Sequence, residues 1–87
     1  MLPRLLKRLE QLCGARLPEG AVEVHVDREQ DILFVRFKEP RGAEVGEPLP
    51  TKAPAFLFTD ESGEVTALEV VCLRELLEEL GLCEQRV

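Results

Sequence analysis

The chain has 87 residues and a formal net charge of 11 − 17 = −6. Its 45% hydrophobic and 32% charged content is that of a globular chain and excludes a disordered one. No apolar run approaches the roughly 18 residues of a membrane span, and the acidic balance argues against general nucleic-acid binding, which needs a basic footprint.

Leu2, Leu5, Leu6, Leu9 and Leu12 recur at helical spacing, with Arg4, Lys7 and Arg8 opposite them. Pro3 suits a first turn and Gly14 a stop. An amphipathic helix is expected within residues 1–14. Charges in its first turns deny it the unbroken apolar stretch of a secretory signal, so the expected location is the cytoplasm. Val22, Val24 and Val26 then alternate with Glu23, His25 and Asp27, the period of a half-buried strand. After the polar Arg28-Glu29-Gln30-Asp31, the run Ile32 to Phe37 predicts a second strand, antiparallel to the first. Prolines and glycines punctuate residues 40–54, where Ala43 to Glu47 suits a short edge strand. Ala55 to Thr59 and Val65 to Val71 predict a further hairpin around Asp60-Glu61-Ser62-Gly63. Leu73, Leu76, Leu77 and Leu80 mark a closing helix over 72–81, stopped by Gly81.

The order is helix, four or five strands, helix, with no crossover helix between strands. The expected fold is α+β: one domain over 1–87, with an antiparallel meander sheet over 21–71 flanked by an N-terminal and a C-terminal helix.

The inventory is poor in catalytic groups. There is one Ser and one His, and Ser62 lies in a turn sequence rather than a nucleophile elbow. Cys13, Cys72 and Cys83 are an odd set without a C-x-x-C pair, which reads as reduced thiols rather than a zinc site. No glycine pattern cradles phosphate. Asp27, Glu29 and Asp31 crowd five positions, but a Ca²⁺ loop counted from Asp27 needs Gly and Glu where Ile32 and Lys38 stand. No metal, no cofactor and no enzymatic activity are expected.

Two stretches resemble a known family. Val24 to Phe37 places a strand, an acidic turn ending in Asp31, and a strand with Phe34 and Arg36. Phe58 to Val71 places an acidic Gly63 turn before a strand carrying Glu69 between aliphatics. Together, over residues 22–73, they resemble the small bacterial and archaeal domain-of-unknown-function 2283 family. Ala67 stands where that family commonly has Gly, and Cys72 where it has Asp. The resemblance implies a small α+β meander. Because some relatives are encoded beside toxin-like partners, it also implies an antitoxin-type binding role.

Strand alternation gives two apolar sheet faces. Two short helices suffice for one of them, and the other, with Ile32, Phe34, Phe56 and Phe58 as candidate interface residues, is expected to join a homodimer. The rival arrangement puts one helix on each face, so that a monomer buries both. Arg36 and Glu69 fall on the same face and are expected to form a buried ion pair. The expected function is a non-catalytic protein-interaction module, antitoxin-like or a regulatory subunit, with a basic protein as a further partner through charge complementarity. The competing reading is a small ligand-binding domain or enzyme with a pocket near Glu69 and Arg36.

Overall fold

The computed structural model describes residues 2–14, 16–18 and 20–82. The order is α1 (Leu2–Cys13), β1 (Glu23–Asp27), β2 (Ile32–Arg36), β3 (Val45–Pro48), β4 (Ala55–Thr59), β5 (Val65–Val70) and α2 (Leu73–Glu79). The expected antiparallel sheet with two flanking helices is the fold, and the element boundaries agree to within a few residues.

The strand order is β1-β2-β5-β4-β3, every neighbouring pair antiparallel. This departs from a strictly sequential meander. After β2 the chain crosses to the far edge, and β3, β4 and β5 return until β5 lies against β2. Burial accounts for the order. Thr66, Ala67, Leu68 and Val70 of β5 are fully enclosed, which a central strand requires, whereas every residue of β1 and β3 is exposed. Charge in β1 and Pro48 in β3 suit unpaired edges.

The crossover is tied down by Asp60. Its carboxylate accepts the backbone N–H of Arg41 at 2.8 Å, and the N–H and hydroxyl of Ser62 at 2.9 and 2.6 Å. The Ser62 hydroxyl first, then the Arg41 amide, hold the Asp60 acid far below its ordinary value of 3.8. A depressed carboxyl pKa contributes stability that is complete above the unfolded-state value and lost as pH falls through the folded one. Thermal stability is therefore expected to decline from about pH 5 downward. Asp60→Asn should flatten that decline and lower Tm by roughly 5–10 °C at neutral pH, as expected for several lost charge-assisted hydrogen bonds. Melting curves from pH 2 to 7 check it; an Asp60→Asn profile parallel to wild type would contradict it.

Both helices lie on one side of the sheet. Leu5 and Leu9 of α1 and Leu76 of α2 share a core with Leu33, Val35, Leu68 and Val70. Leu12, expected in the apolar stripe of α1, is 44% exposed and borders a surface cavity with Leu80 at the core's margin. The start of α2 has no side-chain cap of its own. Asp31 supplies one from the β1–β2 turn: its carbonyl accepts Leu73 N–H at 2.9 Å and its carboxylate accepts Arg74 N–H at 3.2 Å. Asp31 has φ 61°, a left-handed conformation that Asp tolerates better than most residues. The acidic turn thus has a structural task in helix capping. At the other end of α2, Glu79 ties the helix to the β3–β4 connection by accepting the N–H groups of Lys52 and Ala53.

Candidate interaction face

Side chains alternate across a strand. Leu33, Val35, Leu68 and Val70 point to the helices, so their neighbours point to the opposite face. The pairing register aligns those neighbours into rungs. One runs His25, Phe34, Glu69, Phe56, Pro48, and the next runs Glu23, Arg36, Ala67, Phe58, Gly46. Ile32 lies beside them, opposite Asp27. Ile32, Phe34, Phe56 and Phe58 are half-buried and stand outside the core formed with the helices. All four residues expected at an interface are therefore brought to one face, and no helix of the described residues covers it.

The sheet itself partly shields these side chains. The Arg36 guanidinium lies 5.4 Å from the centre of the Phe34 ring, a cation–π separation. Phe58 packs directly over Gly46, where an added Cβ would come within 2.7 Å of the ring. Gly46 is the small residue that lets an edge strand be roofed by an aromatic from its neighbour.

The expected Arg36–Glu69 pair is not formed within the chain. Arg36 reaches Glu44 instead, Nη1 to the carboxylate at 3.1 Å, and also donates to the Lys38 carbonyl at 3.1 Å. Register explains the change. Arg36 lies across from Ala67, Glu69 across from Phe34, and the crossover loop carries Glu44 up to the guanidinium. Glu44 also accepts from the Thr66 hydroxyl. The Arg36 and then the Thr66 hydrogen bonds pull the Glu44 acid below the usual carboxylate range. Glu69 stays half-buried between Phe34 and Phe56.

The remaining candidates are scattered. Ser62 spends its hydroxyl on Asp60, while His25 lies on β1, 3.8 Å from Glu23. Among the described residues, no three metal-ligating side chains converge, and no helix is long and apolar enough to cross a membrane. Cys13 and Cys72 are free thiols; Cys83 lies outside the described residues. Burial pushes the Cys13 thiol up, away from the reactive thiolate. The surface cavities along α1 and between β1 and α2 are lined by residues other than Arg36 and Glu69. No family model, curated protein or solved structure matches the chain.

Proposed function

We propose that this protein is a non-catalytic protein-interaction module that works as a homodimer, joined through the helix-free face of its sheet. The carrying observation is that both helices pack on one side, leaving Ile32, Phe34, Phe56 and Phe58 together on the other. An antiparallel sheet with one face in water normally makes that face polar. A second copy laid face to face turns two single-covered sheets into a sandwich with helices outside, the layering in which both inner faces are dry. Each 100 Å² of apolar surface removed from water contributes roughly 2.5 kcal/mol. Salt screens the opposing long-range repulsion between two chains of charge −6 beyond about 8–10 Å.

The antitoxin-like role implied by the resemblance to the 2283 family belongs to the same proposal, with a basic protein attracted by the net charge of −6. Sedimentation velocity at micromolar concentration tests the assembly. The expected species has twice the mass of the 9.8 kDa chain. A monomer that stays soluble at 100 µM, roughly a hundredfold above the Kd of a weak specific dimer, would sink the reading.

A further inference from the structure

Glu69 has no evident task within one chain. It stands on the central strand with Phe34 and Phe56 as cross-strand neighbours. It is half-buried, and its carboxylate takes part in none of the ion pairs among the described residues. Arg36 sits one diagonal step away on the same face. It spends two Nη1 hydrogens on Glu44 and Lys38 and one Nη2 hydrogen on Glu44. A guanidinium has five donors, so Nε–H and the second Nη2–H are left for another acceptor.

Resting on the dimer reading above, we propose that Arg36 and Glu69 pair between protomers, each Arg36 meeting the partner's Glu69 in two reciprocal ion pairs. The occupant of the face is thus a second copy, and the argument is charge complementarity. A two-fold interface sets residue i against j and j against i. An axis passing between Arg36 and Glu69 exchanges them, so that each charge lands on its opposite. An axis through the centre of β5 would set Glu69 against the partner's Glu69, two carboxylates facing each other in an apolar interface, which is strongly disfavoured. The charges therefore select one docking register among those that the aromatic patch alone permits. Glu44 stays on Arg36 throughout and holds the guanidinium in place for the partner.

The test is a charge-exchange pair. One variant is Glu69→Lys, which sets a lysine against the partner's Arg36. The other is Arg36→Glu combined with Glu44→Gln, which sets two acids together and removes the acid that would otherwise repel the new carboxylate. Each alone is expected to sediment as a monomer at concentrations where wild type is a dimer. Mixed, they should form a heterodimer with at least tenfold tighter association than either variant with itself, because both contacts are then opposite in sign. Circular dichroism establishes that each variant is folded. If the Arg36 variant fails to fold, Glu69→Lys is compared with Glu69→Gln, and Lys must weaken association at least tenfold more than Gln. A Glu69→Lys dimer as tight as wild type, a mixture of folded variants that stays monomeric, or equal effects of Lys and Gln overturns the pairing. If Phe34→Glu dissociates the dimer while these charge changes do not, the open-face dimer stands and only the pairing falls. A monomeric wild type overturns both.

Discussion

Leu68→Ala should lower the unfolding free energy by about 3–4 kcal/mol, the range for emptying a closed core site. Leu68 is fully buried on the central strand, with Val35 and Leu57 as cross-strand neighbours. Helix side chains from α1 and α2 belong to the same cluster. A β5 residue held by strands on both sides and helices above has little room to collapse, so the cavity stays open and the cost lies high in the range. A domain of this size has a total stability on the order of 5–10 kcal/mol. One substitution would then remove a third or more of it and lower Tm by roughly 15–25 °C. Urea unfolding at fixed protein concentration measures it, since the proposed dimerisation would make apparent stability depend on concentration. Val24→Ala, at a side chain left 47% exposed, is the control and should cost less than about 0.5 kcal/mol. A Leu68→Ala loss no larger than the control's would contradict the placement of the core beneath the helices.

Phe34→Glu should dissociate the proposed dimer while leaving the chain folded. Phe34 is half-buried, stands outside the helix-covered core, and neighbours Glu69 across the strand pair. A carboxylate there stays solvated in the monomer. In the dimer it would be stripped of water beside another acid, a large penalty at the centre of an interface. The dissociation constant is expected to rise at least a hundredfold, about 2.7 kcal/mol. Far-UV circular dichroism should be unchanged, because the β2–β5 ladder is backbone pairing that Glu tolerates. Loss of the strand signal together with association would instead mean that Phe34 holds the monomer together.

The fold was legible in the sequence wherever periodicity was strong. The leucine stripe of α1, the valine alternation of β1 and the two apolar hairpins each carry their own period. The strand order was less legible, because adjacency in sequence favours a meander and nothing local says that β5 will be central. The signal lay in β5 itself. Glu69 is its one charged residue, and Thr66, Ala67, Leu68 and Val70 are the small and apolar positions a central strand needs. Period-two counting set Ile32 with Phe34 and Phe56 with Phe58, each within its own strand, and the register through β5 puts the two pairs on one face. The partner of Arg36 did not. Glu44 lies eight residues away in an irregular loop, and only the crossover over the β4–β5 turn brings it to the guanidinium. Asp60 was readable as a turn residue but not as the anchor of that crossover, since its bond to Arg41 spans 19 positions. Asp31 as the cap of α2 is hidden for the same reason, with 43 positions between the carboxylate and the amide it accepts.

The helix-free face as the seam between two copies is tested most directly by isotope-filtered nuclear Overhauser spectroscopy. Equal amounts of ¹³C,¹⁵N-labelled and unlabelled chain are mixed, so that only contacts between protomers are recorded. Cross-peaks are expected from the Ile32 methyls to the rings of Phe34, Phe56 and Phe58 on the other chain, with none from the core methyls of Leu5, Leu9 or Leu76. Intermolecular cross-peaks confined to Val24 and Val26 at the β1 edge, or absent altogether in a sample that sediments as a dimer, would contradict the account.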